Sequence, residues 1–128
     1  MNTKRMGAKR EHAVMKLLTQ QGYSVTRAAA SLGVFDIIAI PGEADDPHVR
    51  LIQVKSNRWP GPKERGIIEK FVVNQDCPVR KEIWMKPDRK AWRVIEWTGA
   101  NPFFLPPRWR ERNGYGQGDQ RFVFGGQL

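Results

Sequence analysis

Cysteine is almost absent. Cys77 is the only one in 128 residues, which excludes an internal disulfide and fits a reducing compartment. No apolar run approaches the length of a membrane span, and the N-terminus lacks the apolar segment of a secretion signal, so the expected location is cytoplasmic. His12 and His48 are the only histidines, and neither has a triad partner in the sequence pattern. No zinc-ligand spacing surrounds the lone cysteine, no glycine motif cradles a phosphate, and there are no internal repeats. Acidic residues are also scarce, 13 against 22 Lys and Arg, leaving a net charge of +9. A polyanion is the partner such a balance favours, with nucleic acid first; the plainer alternative is a soluble protein that is merely basic. The length fits one domain able to bury a core.

What the chain does have is concentrated between Gly33 and Lys55. Two apolar runs rich in β-branched residues, Val34 to Ile40 and Val49 to Lys55, flank a break made of Pro, Gly and Asp, the pattern of a β-hairpin with a longer loop. Both runs are too apolar to face water, yet they carry Asp36, Gln53 and Lys55, polar groups that are costly to bury unpaired. If residues 41 to 48 form the loop and Ile40 faces Val49, Asp36 falls opposite Gln53. Directly opposed side chains have Cβ atoms roughly 5 Å apart, within reach of one metal ion. Alternation along a strand puts Gln53 and Lys55 on the same face, so a carboxylate, a second oxygen ligand and an ammonium converge.

Around this hairpin, residues 4 to 21 read as an amphipathic helix ending at Gly22. Glu11, Val14, Met15 and Leu18 share one stripe, so Glu11 is either solvated at the stripe's edge beside a lysine or paired inside. Lys4, Arg5, Lys9 and Arg10 crowd the helix start, where cations oppose the macrodipole and suit phosphate contact better than helix stability. Tyr23 to Ala28 alternates as a strand, followed by a small-residue loop, Ala29 to Gly33. Ser31 is placed to donate to a phosphate or to water, and Arg27 to reach DNA or to cover the sheet edge. After Lys55, a loop with Arg58 and Trp59 offers a cation and a ring to a phosphate and an unstacked base; Trp59 as a packing plug is the alternative. Pro62 opens a second helix whose stripe of Ile67, Ile68, Phe71 and Val72 is expected to be core. Lys81 to Met85 and Ala91 to Trp97 form a second hairpin that completes the sheet. Residues 1–100 are one domain. Residues 101–128, rich in Pro, Gly and Arg, cannot fold alone, though Phe103, Phe104, Trp109 and Phe122 to Phe124 suit docking on another subunit; a DNA-gripping arm, a swapped element and a disordered tail all remain open.

Asp36, the hairpin and Gln53-Val54-Lys55 resemble the Asp…(Asp/Glu)-x-Lys core of the PD-(D/E)XK nuclease superfamily. Within it the chain is most similar to the archaeal-type Holliday-junction resolvases, through the Arg10-Glu11 pair in the first helix and the Arg27 to Ser31 run leading to Asp36. The likeness covers residues 4 to about 97. It implies a restriction-endonuclease-like α/β fold, a central mixed β-sheet flanked by helices. It also implies a Mg²⁺-dependent endonuclease, with Mn²⁺ able to substitute, that resolves four-way DNA junctions as a homodimer. Glu11, Asp36 and position 53 would hold the metal, Lys55 would orient water and stabilise charge, Ser31 would assist, and Lys4, Arg5, Lys9, Arg10, Arg27 and Arg58 would grip DNA. One departure stands out: the family's metal-binding Glu is here Gln53. Nucleases of the same superfamily acting on flaps or duplex DNA, and a catalytically silent DNA-binding module, are the alternatives.

Overall fold

A computed structural model describes residues 3–28, 32–74, 76–100 and 107–112, with the backbone alone of Thr3, Lys4 and Ala100. The first helix, α1, spans Thr3–Gln20, and Val14 and Leu18 on its predicted stripe are fully buried. Gly22 follows in the left-handed region at φ 96°. A Cβ there would stand 2.6 Å from the Ala44 backbone nitrogen, so glycine both permits the turn and lets the hairpin loop close on it. The loop is held there by the Gly42 and Glu43 N–H groups, which donate to the Gly22 carbonyl.

Strands β1 (Tyr23–Arg27), β2 (Ile37–Pro41) and β3 (Val49–Ser56) are antiparallel neighbours. Helix α2 (Pro62–Lys70) then carries the chain over the sheet to β4 (Val79–Lys86), which lies parallel to β3. Strand β5 (Arg93–Trp97) pairs antiparallel with β4, and β6 (Trp109–Arg112) with β5. The result is one mixed sheet in the order β1-β2-β3-β4-β5-β6. Because side chains alternate across strands, the sheet separates two cores. On one face Val14 and Leu18 of α1 pack with Ile37, Ile52, Trp84 and Val94; on the other Ile68 of α2 packs with Phe35, Leu51, Ile83 and Ile95.

The second helix corrects one expectation. Of the four residues proposed as its core stripe, only Ile68 is fully buried; Ile67 is half exposed and Val72 is 90% exposed. The helix stops at Lys70, with Phe71 already extended. Its end is set from the sheet: the buried Lys81 sends its ammonium to the carbonyls of Ile68, Glu69 and Phe71 at 2.9, 3.2 and 2.6 Å, satisfying acceptors that a helix C-terminus leaves open. Phe71 still reaches the core, edge-on to Phe35 at 5.1 Å.

Past the expected boundary at residue 100, β6 belongs to the same sheet. Thr98 fixes its approach, its N–H and Oγ1 both donating to the Arg108 carbonyl at 2.8 Å, and the Trp109 indole donates to Glu69 Oε2 at 2.8 Å. Phe103, Phe104 and Phe122 to Phe124 lie outside the described residues. On the α1 face the sheet also buries charge. Arg50 and Glu82, both fully buried, pair at 3.1 Å, the Trp84 indole donates to the same carboxylate at 2.9 Å, and Glu96 is held by Arg80 and Arg112 at 3.0 and 2.6 Å. Among the described residues no helix is long and apolar enough to cross a membrane.

Candidate functional site

The hairpin register is the one its sequence predicts: Ile37 faces Ile52, Ile38 faces Leu51 and Ala39 faces Arg50. Asp36 sits one residue before the first of these pairs, Ile37 with Ile52. Its N–H donates to the Ile52 carbonyl at 2.8 Å, and its own carbonyl accepts from Ala28 N–H at 2.8 Å. Its side chain replaces the main chain in the next rung, Oδ2 accepting the Val54 N–H at 2.8 Å. Asp36 therefore brackets Gln53 between two hydrogen bonds, and its carboxylate is fixed by strand geometry rather than by a flexible loop.

Gln53 and Lys55 share one face of β3, and both reach the same acceptor. Gln53 Nε2 donates to Glu64 Oε2 at 3.4 Å and Lys55 Nζ to Glu64 Oε1 at 3.3 Å. Glu64, in the first turn of α2, was not singled out by sequence reasoning. An acid in the first turn of a helix already has an ordinary reason to be there, since it complements the macrodipole; the only sequence signal was its place shortly after the Lys55 strand. Gln53 is 4% exposed, and its Oε1 has no hydrogen-bond partner among the described residues.

Glu11 comes to the site from α1. It accepts from Arg27 Nε at 3.0 Å, and the Arg27 side chain remains half exposed. Arg10 Nε donates to Ser56 Oγ at 3.3 Å and its Nη2 lies 3.6 Å from Asp88, tying α1 to the end of β3 next to Lys55. Arg5, Lys9 and Arg58 are exposed. Trp59 packs on the α2-side core with the Arg93 guanidinium 5.3 Å from its ring centre, the arrangement of a packing residue. Ser31 and the Lys4 side chain fall outside the described residues.

The electrostatics record how crowded with acid this corner is. Burial raises the Asp36 carboxyl above its ordinary value, and the Glu11 and Glu64 carboxylates push the same way; the Val54 N–H and Lys55 oppose them without cancelling them. Asp36, Glu11 and Glu64 supply hard oxygen donors, and the orphaned Gln53 Oε1 is a neutral one, a set that suits Mg²⁺ or Mn²⁺ in kind. In the positions described, no three His, Cys, Asp or Glu stand close enough to grip a metal together. Cationic side chains occupy the acids instead, Arg27 on Glu11 and Lys55 on Glu64.

No protein-family model matches the sequence, and no curated protein matches it. Among solved structures, that of Archaeoglobus fulgidus Hjc, a Holliday junction resolvase from an archaeal hyperthermophile, is similar over 70% of this chain and 70% of its own, with 22% sequence identity and a TM-score of 0.54. The mixed sheet flanked by two helices, with Asp36 and Lys55 on its central hairpin, is thus the restriction-endonuclease-like α/β fold that this resolvase also has.

Proposed function

We propose that the protein is a metal-dependent endonuclease that resolves four-way DNA junctions as a homodimer, each subunit nicking one of two opposed strands. The observation that carries this reading is the convergence of Asp36, Gln53 and Lys55 at the end of a resolvase-like hairpin, with Glu11 brought in by α1. Cleaving a phosphodiester piles negative charge on the phosphoryl oxygens, and the site must supply positive charge where it develops. Lys55 is a partly buried ammonium on a rigid strand, placed to hydrogen-bond an attacking water and to stabilise that charge. Asp36, Glu11 and Gln53 Oε1 would hold the divalent cation, which when bound supplies Lewis-acid stabilisation of the same charge. Lys9, Arg10 and Arg58, around the end of β3, would grip the flanking phosphates, with Arg5 further along α1. Ser31 and Lys4 keep the roles that the resemblance gives them. Paired cutting needs two sites in fixed relation, which is the argument for a two-fold dimer.

A labelled four-way junction, incubated with and without Mg²⁺ beside a flap and a linear duplex of equal length, tests this. Nicks are expected only with the cation, in symmetric pairs on opposed strands of the junction, and more slowly on the other substrates. Equal cutting of all three would move the reading to a nuclease of other specificity. Tight binding without cutting at any Mg²⁺ or Mn²⁺ concentration would make this a silent DNA-binding module, the reading that Gln53 favours.

A further inference from the structure

The strand that carries Lys55 ends against a turn. Ser56, the next residue, is paired with Lys86 in the parallel ladder of β3 and β4, so the β4–β5 turn at residues 87–90 leaves the sheet beside the end of β3. Several bonds fix it there. Asn57 donates its N–H to the Lys86 carbonyl at 3.0 Å, and its Oδ1 accepts the Asp88 N–H at 2.9 Å. Arg10 of α1 donates to Ser56 Oγ at 3.3 Å and lies 3.6 Å from Asp88. Inside the turn the Lys90 N–H donates to the Pro87 carbonyl at 3.2 Å, and the Lys86 ammonium to the Lys90 carbonyl at 2.8 Å. Within this frame the charges are sorted. Lys86 is committed to the turn's own main chain, and Asp88, the turn's one acid, faces Arg10. Arg89 and Lys90 are exposed, and neither has an acidic partner among the described residues. Arg89 also occupies the left-handed region at φ 61°, where glycine or asparagine is the ordinary choice. A long side chain is held there at a cost in backbone free energy that glycine would avoid, so the backbone gives no reason for arginine at this position.

We propose that the β4–β5 turn grips the phosphodiester backbone of DNA lying across the end of β3, with Arg89 and Lys90 as the cations that contact phosphates. This rests on the endonuclease reading above and adds to it a surface built by β4 and β5, which that reading leaves out. A turn already fixed by its own bonds loses less freedom on binding than a loose loop does. The same bonds tie it to the strand of Lys55, so a phosphate held by the turn is held in register with that ammonium. Such contacts orient the DNA without reading its sequence.

The test is binding of a fluorescent four-way junction and of a linear duplex of equal length by the full chain, read by anisotropy over a salt series without divalent cation. The variants are Arg89→Gly, Lys90→Ala, the two together, and Lys70→Ala, which removes one charge elsewhere. Lys70 ends α2 and is exposed; the bonds from Lys81 to that helix end place it near the start of β4, at the other end of the strand from the turn. Each turn variant should lower the salt slope of log Kd by about 1, and the pair by about 2, on both substrates. Lys70→Ala should leave the slope at the parent's value. Arg89→Gly should melt close to the parent, because glycine takes a positive φ without strain, and circular dichroism checks this. Turn variants that keep the parent's slope overturn the grip, and the endonuclease reading stands if Lys9→Ala lowers the slope in the same series. A slope lowered equally by Lys70→Ala also overturns the grip, since the loss is then one of net charge alone. If the parent binds neither DNA, both readings fail together.

Discussion

Asp36 is held in an unfavourable state by its own fold. Buried and facing Glu11 and Glu64, its carboxyl binds a proton more tightly in the folded chain than its ordinary value of 3.8. A raised folded value in an acid means that the ionised form destabilises the fold. The metal-free protein should therefore lose stability as pH rises from that value through the folded one, and keep it below. Asparagine at 36 retains an oxygen for the Val54 N–H but carries no charge. Asp36→Asn is thus expected to melt higher than the parent near pH 7 without metal, the gap closing as pH falls below 3.8, while nicking drops about 100-fold or more. Melting curves across pH decide it: a variant that melts lower than its parent at neutral pH would mean that Asp36 is a structural residue. Asp36, Gln53 and Lys55 were legible in the sequence because strand alternation and one hairpin register suffice to bring them together. Glu64 was not, because its approach depends on the loop between Ser56 and Pro62 and on where α2 lies across the sheet, neither of which a local pattern encodes.

Elements show the same division. Helix α1 and strands β1 to β5 follow from periodicity, Gly22 and the two hairpin breaks, all local signals. The end of α2 does not, since it is fixed by Lys81 reaching from another element, and β6 does not, since only β5 gives its short, Arg-rich segment a partner. The Arg50–Glu82 pair is equally hidden. Alternation would have put two apolar residues there; a fully buried ion pair joining β3 to β4 is visible only once the parallel register sets Arg50 beside Arg80 and Ile52 beside Glu82. Taking both charges from water is costly, so the pair is a weak stabiliser in net terms but a severe loss when halved. Glu82→Ala should cost about 3–5 kcal/mol in urea unfolding because Arg50 stays buried without its carboxylate. Replacing both, as Arg50→Met with Glu82→Leu, should recover most of it. A single-variant loss under about 1 kcal/mol would mean that Arg50 finds compensation elsewhere in the fold.

At the scale of the molecule, charge and geometry favour the same corner. The chain carries +9 overall, yet its buried carboxylates Glu82 and Glu96 are taken up by arginines inside, so those cations are committed to the fold and are not offered to a partner. Lys9, beside Arg10 in α1, and Arg58, two residues past the end of β3, are exposed, and Arg10 is tethered to Ser56 and Asp88. A polyanion approaching there would meet positive charge first and the acidic pocket second. Each phosphate contact releases condensed counterions, so log Kd for DNA should change linearly with log salt, with a slope of about 0.9 per contact on duplex arms. Removing an exposed contact should reduce that slope by about 1. Lys9→Ala and Arg58→Ala are the variants to use, because neither side chain is buried. Both should weaken binding to junction and duplex alike, since a phosphate contact positions without reading sequence, while leaving the Mn²⁺ affinity of the pocket unchanged. Fluorescence anisotropy over a salt series gives the slopes. Slopes that match the parent's in both variants would place the DNA on another face, away from the hairpin and from Lys55.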